Sequence, residues 1–283
     1  MVKVISSTLE LIQERQNDKI VGFVPTMGNL HKGHISLLNQ ALSDFKNVYF
    51  SIFVNPKQFG PNEDFNRYPR TLEQDINLIK ECANHFPNSK VVVFAPSSPH
   101  EVFPETNGSK ISVWRLSTIL EGKIRPGHFD GVTTVVYRLF DLIKPHTAYF
   151  GLKDYQQYLV IKEMIKDLNL PICIKGMPIV REESGLALSS RNQYLSDEQK
   201  KASLILFNTL KKIVEIIDSK KLNLNNAKKY IDTVLTDQNW NYLEIRDSET
   251  LSDDTINSKN ISILAVYQLG ATRLLDNMQV EIK

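Results

Sequence analysis

Short apolar runs rich in β-branched and aromatic residues recur along the first part of the chain. They lie at 20–24, 48–54, 91–94 and 148–150. Between them the apolar residues recur at helical spacing, as Ile35, Leu38, Leu42 and Phe45 do after the first run. Strands that alternate with helices in this way predict an α/β domain built on a Rossmann-like parallel sheet.

The pattern changes in the C-terminal part of the chain. Ser196 with Gln199 is a capping-box signal, and a long amphipathic helix and a second helix over about 224–236 follow it. Three strand-like segments come last, at 242–247, 261–268 and 272–282. Helices followed by a run of strands predict a smaller α+β domain with an antiparallel sheet. We therefore expect domains at 1–185 and 186–283, the second closing over the site of the first.

Prolines and cap residues set several of the predicted boundaries. Pro25 is expected to end the first strand. A helix over 7–16 would bury Leu9 and Ile12, with Leu11 a further candidate for the inward face. Asp75 suits the first turn of a helix that starts after Thr71.

Composition excludes several classes of protein. The net charge of +2 argues against a broad nucleic-acid surface, and Cys82 and Cys173 give neither a disulfide framework nor metal-ligand spacing. The N-terminal segment lacks the apolar core of a signal peptide, and no stretch has the length of a membrane span. We expect a cytoplasmic protein that acts on small molecules, without nucleic acid or membrane as a partner.

The most informative stretch is 21–34, VGFVPTMGNLHKGH, where a strand runs through a glycine-bearing turn into a helix. Free backbone N–H groups and the positive end of the helix dipole make such a turn a phosphate site. His31 and His34 are placed to point the same way and to donate to phosphoryl oxygens. The plainer alternative is that the two histidines only cap the helix or face solvent.

Other candidates follow the later strands, where a parallel sheet binds its ligands. Asn55 and Gln58 are placed to meet a small polar substrate, although asparagine before proline also suits a plain turn. Lys153 could clamp a phosphate at the next helix start, and Asp154 there could be only an N-cap. Gln157 lies one turn further on.

Two polar loops are open to two interpretations each. The segment with Ser189, Ser190 and Arg191 is either a domain linker or a mobile loop that closes over a triphosphate. Arg125 and His128 flank Pro126-Gly127, either to present charge to a ligand or as parts of a rigid turn.

The H-x-G-H string after the first strand resembles the phosphate-handling signature of the nucleotidyl-transfer superfamily, and PTMGNLHKGH resembles its pantoate–β-alanine ligase family in particular. Further strings resemble that family in its order along most of the chain: SIFVNPKQF, YPRT, LEGKIRPGHFDGV, FGLKDYQQ, MPIVREESGLALSSRNQYL, YLEIRD and LGATRLLDN. Lys32 stands where an acidic residue is common in the family, and Leu152 where glutamate or glutamine is.

The resemblance implies an ATP-dependent ligase of pantothenate biosynthesis, with Mg²⁺. The carboxylate of (R)-pantoate would attack the α-phosphorus of ATP and expel diphosphate. The β-alanine amine would then attack the pantoyl adenylate, giving pantothenate and AMP. The family also implies a homodimer.

Carried over residue by residue, the resemblance implies catalytic roles for His34, His31 and Lys153. ATP would be bound by Met27, Gly28, Asn29, Leu30, His31, Lys32, Gly33, His34, Gly151, Leu152, Lys153, Asp154, Val180, Leu188, Ser189, Ser190 and Arg191. Pantoate would be bound by Gln58, Gln157 and Asn55, and β-alanine by Gln58.

Three rival functions fit parts of this pattern. Another H-x-G-H enzyme would transfer a nucleotidyl group to a phosphorylated acceptor and keep AMP in its product. An aminoacyl-tRNA synthetase fits less well, because the chain is short, nearly neutral and without an obvious anticodon-reading module. An inactive member would only bind nucleotide or a partner protein, but each candidate catalytic position still holds a competent residue.

Overall fold

The computed structural model describes residues 1–61, 63–104, 108–218, 224–256 and 258–282. The chain divides into two compact units, Met1–Leu152 with Gln156–Pro178, and Lys153–Tyr155 with Ile179–Lys283. The division thus falls after residue 178, whereas the sequence pattern placed a boundary after residue 185. The short segment Lys153–Tyr155 belongs to the second unit although the chain on both sides of it belongs to the first.

A parallel sheet is the centre of the first unit. Its strands are β1 Val2–Ile5, β2 Gly22–Thr26, β3 Asn47–Ile52, β4 Lys90–Phe94, β5 Thr147–Gly151 and β6 Cys173–Met177. Among the described residues these strands pair in the order β1-β4-β3-β2-β5-β6, which confirms the α/β prediction. From β2 the strands β3 and β4 follow outward, with β1 at the edge beside β4, and from β5 the strand β6 follows on the other side. The point between β2 and β5 is where such sheets form a ligand crevice, at the carboxyl ends of the strands.

Helices accompany this sheet along the chain. They are α1 Thr8–Gln16, α2 Lys32–Asp44, α3 Leu72–Asn84, α4 Pro99–Val102, α5 Glu121–Ile124, α6 His128–Ile143 and α7 Tyr155–Asp167. The apolar faces of α2 and α3 pack on the sheet in one buried cluster that includes Leu38, Ile79, Val24 and Phe50. This packing holds the start of α2 and the ends of β2 and β3 in fixed positions, and those are the segments that carry the candidate residues.

Two local predictions for this unit were wrong. The first strand does not stop at Pro25: β2 includes it and ends at Thr26, which pairs with Ile52. A proline so near a strand end gives up only one ladder donor. The inward face of α1 is also different, since Leu11 is fully buried while Leu9 and Ile12 are 67% and 40% exposed.

The second unit is a small α+β domain, as predicted. Its elements are α8 Asp197–Asp218, α9 Leu224–Val234, β7 Trp240–Asp247, β8 Asn260–Leu269 and β9 Thr272–Glu281. The strands form an antiparallel sheet in the order β7-β8-β9. The predicted capping box precedes α8: Ser196 N–H donates to Gln199 Oε1 at 3.0 Å, and Gln199 N–H donates to Ser196 Oγ at 3.2 Å. Leu210 and Ile213 of α8 pack in one cluster with Leu243 and Ile263 of the sheet.

Candidate active site

A buried carboxylate binds the backbone of the turn between β2 and α2. Gly28 and Asn29 have positive φ angles of 82° and 50°, which directs successive backbone N–H groups toward the same side. Asp75 of α3, 1% exposed, accepts from the N–H of Asn29 at 2.9 Å and from the N–H of Leu30 at 2.8 Å. Thr71 Oγ1 donates to the same carboxylate at 3.2 Å. Sequence reasoning placed Asp75 in the first turn of a helix and missed this role. It also predicted free N–H groups in the turn, whereas those of Asn29 and Leu30 donate to Asp75.

His31 and His34 bracket the first turn of α2 and hold each other in place. His31 is the N-cap, and its Nδ1 accepts from the N–H of Gly33 at 3.1 Å. His34 Nδ1 accepts in turn from the N–H of His31 at 3.3 Å, and the ring centroids lie 4.1 Å apart. A ring nitrogen that accepts carries no proton, so in the neutral rings the proton lies on Nε2. The capping interpretation is therefore correct for Nδ1, and each ring has an Nε2–H donor.

Asn55 and Gln58 lie in the turn after β3 and are linked to each other. Asn55 is 1% exposed, and its Oδ1 accepts from the N–H of Lys57 at 3.2 Å. Its Nδ2 donates to Gln58 Oε1 at 3.0 Å and to the carbonyl of Gly131 at 3.1 Å. Because Oε1 of Gln58 accepts from Asn55, the amide is oriented, with Nε2 as its donor side.

The Arg125–His128 pair contacts the same turn through its backbone. The carbonyl of Gln58 lies 2.8 Å from His128 Nδ1 and 3.4 Å from Arg125 Nη2. Arg125 Nη1 is 3.0 Å from His128 Nε2. These contacts favour the rigid-turn interpretation of Arg125 and His128, with the Gln58 turn as the element that they hold.

The carboxyl end of β5 carries Gly151 and Leu152 next to β2. A Cβ built on Gly176 of β6 would lie 2.6 Å from Leu152 Cδ2, so the leucine side chain occupies the space that the glycine leaves. One turn on, Gln156 is 4% exposed, and its Nε2 donates to the carbonyls of Leu116 and Ile119, each at 2.8 Å. Gln157 is partly exposed, which makes it the better ligand candidate of the two glutamines.

The remaining ATP candidates lie in the second unit. Lys153 Nζ is 3.4 Å from Asp154 Oδ1, and its side chain is 20% exposed. The carbonyl of Val180 accepts from the N–H of Leu188 at 3.0 Å, which closes a hairpin. Ser189 Oγ then accepts from the N–H of Arg191 at 3.3 Å at the start of a 3-10 helix, Ser190–Tyr194. The segment 188–191 is thus a capped turn joined to a hairpin.

The side chains offer little to a metal ion on their own. Within the described ranges no three His, Cys, Asp or Glu side chains come together in a way that could hold one. In that part of the chain no helix is both long and apolar enough to cross a membrane.

Comparisons with known proteins bear on the whole length of the chain. The family model described as Pantoate-beta-alanine ligase matches residues 1–279. A pantothenate synthetase of Acetivibrio thermocellus is 45% identical over 287 aligned positions, covering 100% of this chain and 99% of the relative. One of Thermosipho africanus is 44% identical and covers 93% of each chain.

Solved structures agree with the sequence comparisons. The crystal structure of pantothenate synthetase from Thermus thermophilus superposes with a TM-score of 0.89 at 40% identity, covering 98% of both chains. A pantoate-beta-alanine ligase from Francisella tularensis, complexed with beta-gamma ATP and beta-alanine, gives a TM-score of 0.76 at 32% identity. It covers 98% of this chain and 97% of that one.

Proposed function

This chain belongs to the pantoate-beta-alanine ligase family, and from that membership we propose which of its side chains serve each step of the ligation. The enzyme condenses (R)-pantoate with β-alanine at the expense of ATP, through a pantoyl adenylate, and forms pantothenate, AMP and diphosphate. The proposal is carried by one observation above all: Nδ1 of His31 accepts from the N–H of Gly33 and Nδ1 of His34 from the N–H of His31, so both neutral rings are Nε2–H donors at the start of α2.

The first step brings a carboxylate to an anionic triphosphate, so charge must be neutralised and the reactants oriented. Negative charge grows on the phosphoryl oxygens and on the leaving diphosphate. The Nε2–H groups of His34 and His31 donate to these oxygens, with His34 as the principal catalytic residue. Preorganised donors of this kind act without reorganisation at the moment of reaction.

The other ATP contacts divide by charge. Lys153 and Arg191 neutralise the phosphates, and Met27 to Leu30, with Lys32 and Gly33, cradle the nucleotide. Gly151, Leu152 and Asp154 contact ATP, and the backbone of Val180 contacts adenine. Leu188, Ser189, Ser190 and Arg191 form a segment that closes on ATP, as part of a C-terminal domain that closes over the site.

Pantoate needs hydrogen bonds that fix its hydroxyls and carboxylate without added negative charge. Gln58 and Gln157 supply them, and Gln58 also contacts β-alanine. Asn55 belongs to the same pocket, and its two hydrogen bonds to Gln58 and Gly131 support a role through Gln58.

Mg²⁺ enters as part of its complex with ATP. The described side chains offer no cluster of three His, Cys, Asp or Glu ligands, and Asp75 already accepts two backbone N–H groups. Mg²⁺ commonly keeps several waters and takes phosphate oxygens as ligands, which needs no protein cage. We propose the same for this enzyme.

We also propose that the enzyme works in the cytoplasm as a homodimer. The cysteines suit a reducing compartment, since Cys82 and Cys173 are both free thiols. The homodimer rests on the family resemblance, and sedimentation equilibrium would test it.

The decisive experiment measures AMP formation from ATP, Mg²⁺ and pantoate, with and without β-alanine, in single-turnover and multiple-turnover runs. The ligase should form AMP only with both substrates, and pantoyl adenylate should build up when β-alanine is omitted. A nucleotidyltransferase would release diphosphate without AMP when given a phosphorylated acceptor. An inactive nucleotide-binding member would form neither product.

A further inference from the structure

Lys153 is held through its backbone by a residue more than a hundred positions further along the chain. Asn277 of β9, 4% exposed, donates from Nδ2 to the carbonyl oxygen of Lys153 at 2.9 Å. Nearby, Tyr155 Oη donates to the carbonyl of Ser248 at 2.7 Å. These two contacts join the segment Lys153–Tyr155 to the second unit on both sides of Asp154.

Asn277 is itself fixed by a buried ion pair. Asp276 is 2% exposed and accepts from both terminal guanidinium nitrogens of Arg181. Nη1 donates to Oδ2 at 2.5 Å, and Nη2 donates to Oδ1 at 2.9 Å. The N–H of Asn277 donates to Asp276 Oδ1 at 2.7 Å, and its carbonyl accepts from Arg181 Nη2 at 3.3 Å. Bidentate pairs between arginine and a carboxylate are among the most directional hydrogen-bonded contacts in proteins. Asn277 therefore offers its side-chain amide from a rigid backbone.

The same ion pair supports the hairpin that leads into 188–191. Arg181 Nη1 donates to the carbonyl of Gly185 at 3.1 Å, and the guanidinium lies 5.0 Å from the ring centre of Phe207. Arg181 also forms an antiparallel bridge with Ala187. One pair of adjacent residues on β9 thus holds two segments that carry ATP candidates.

We propose that Asn277 is a positioning residue for the first half-reaction, in which it fixes the backbone of Lys153 and so the place of the ammonium group on the phosphates. This inference rests on the proposed role of Lys153. A hydrogen bond to the carbonyl of Lys153 adds no charge to the site, and its effect on rate comes from geometry. Displacement of a catalytic group by about 1 Å can cost roughly a hundredfold in rate.

The test compares the half-reactions of Asn277→Ala. Adenylate formation from ATP and pantoate should slow about tenfold to a hundredfold. The reaction of preformed pantoyl adenylate with β-alanine should keep its wild-type rate, because diphosphate has already left. Asn241→Ala is the matched control: Asn241 is exposed on β7 of the same sheet, where its Oδ1 accepts from Arg273. It should leave both rates unchanged.

A double-mutant cycle with Lys153→Ala separates positioning from general damage. In the Lys153→Ala background, Asn277→Ala should slow adenylate formation no further, because the group that it positions is gone. Asn277→Asp, which keeps the shape but replaces the donor by an acceptor, should show the same selective loss and serves if the alanine variant does not fold. Equal slowing of both half-reactions, additive losses in the cycle or an unchanged adenylation rate would overturn the role.

Wild-type enzyme run alongside distinguishes the two proposals. If it forms no pantoyl adenylate, the proposed function fails and this inference falls with it. If wild-type enzyme forms pantoyl adenylate and Asn277→Ala forms it equally fast, only the role of Asn277 is wrong.

Discussion

Arg125 binds the carboxylate of Glu63 at two points, with Nε 2.7 Å from Oε1 and Nη2 2.6 Å from Oε2. The same guanidinium contacts the carbonyl of Gln58. Burial by itself raises the pKa of Glu63, but the hydrogen bonds and charge of Arg125 outweigh it and hold that pKa below its ordinary value. The ion pair therefore joins the segment before α6 to the loop after β3, which contains both Glu63 and the Gln58 turn.

The depressed pKa of Glu63 predicts a specific loss of stability in acid. A carboxyl whose pKa is lower in the folded state stabilises the fold above its unfolded-state pKa and loses this contribution as pH falls through the folded-state pKa. Glu63→Gln should lower the free energy of unfolding by about 1 kcal/mol at neutral pH. The difference from wild type should shrink as pH falls below the ordinary glutamate pKa. Urea unfolding at stepped pH measures this.

Glu249→Gln is the control for that series, since Glu249 is exposed in the turn after β7 and lies at no helix end. Its stability should follow the wild-type curve. A Glu63→Gln curve parallel to wild type across the acid range would show that the ion pair does not stabilise the fold.

Asn55→Asp should disturb pantoate binding through Gln58. The aspartate can still accept from the N–H of Lys57 but cannot donate to Gln58 Oε1 or to the carbonyl of Gly131. Each lost hydrogen bond is worth about 1 kcal/mol, so kcat/KM for pantoate should fall about tenfold or more. Steady-state kinetics with each substrate varied would show a smaller change for ATP. Equal losses for both substrates would contradict an effect through Gln58.

Variants of His34 separate capping from chemistry. His34→Ala should lower turnover by roughly 10²–10³ while leaving the fold intact. His34→Asn should be as inactive but more stable than the alanine variant, by about 1 kcal/mol, because its Oδ1 can replace Nδ1 as acceptor for the N–H of His31. Single-turnover rates and thermal unfolding check both parts. Near-wild-type turnover in either variant, or unfolding of the alanine variant, would contradict the role of His34.

Gly131 is a steric requirement of the Gln58 turn. A Cβ at this position would lie 2.2 Å from the carbonyl oxygen of Lys57 and 2.6 Å from the backbone nitrogen of Gln58. Gly131→Ala should therefore destabilise the protein by about 1–3 kcal/mol through overpacking. Gly151→Ala is the matched control for stability, because nothing lies within 4 Å of its added Cβ. Denaturant unfolding of the two variants should differ by that amount, and equal midpoints would contradict the close approach.

The elements that sequence reasoning found are those whose signals are local. The capping box at Ser196 and the strand, turn and helix around Gly28 are specified by residues within a few positions of each other. Strand β1 was missed because its four residues, VKVI, do not form a continuous run of buried apolar side chains. Val4 is 44% exposed, and only Ile5 is buried. Leu9 and Ile12 were misplaced because α1 packs through the face of Leu11 and Arg15, whose guanidinium donates to the carbonyl of Lys144.

The supporting contacts of the candidate site could not be predicted because they join residues that are far apart in the sequence. Asp75 reaches Asn29 across forty-six positions, and Asn277 reaches Lys153 across 124. Nothing in the spacing of an aspartate on an amphipathic helix, or of an asparagine in a strand, identifies such a partner. The candidate residues themselves came from the motif strings, and their assigned roles stay predictions.

The assignment of Lys153–Tyr155 to the second unit limits where chimeras between this enzyme and its relatives can be joined. A chimera with one crossover near residue 178 would inherit Lys153 and Tyr155 from one parent and Asn277 and Ser248 from the other. The hydrogen bonds Asn277–Lys153 and Tyr155–Ser248 would then each join residues from two different parents. Viable recombinants should take Lys153–Tyr155 and residues 179–283 from the same parent, because a transplant of residues 179–283 alone separates Lys153 from the strand that carries Asn277.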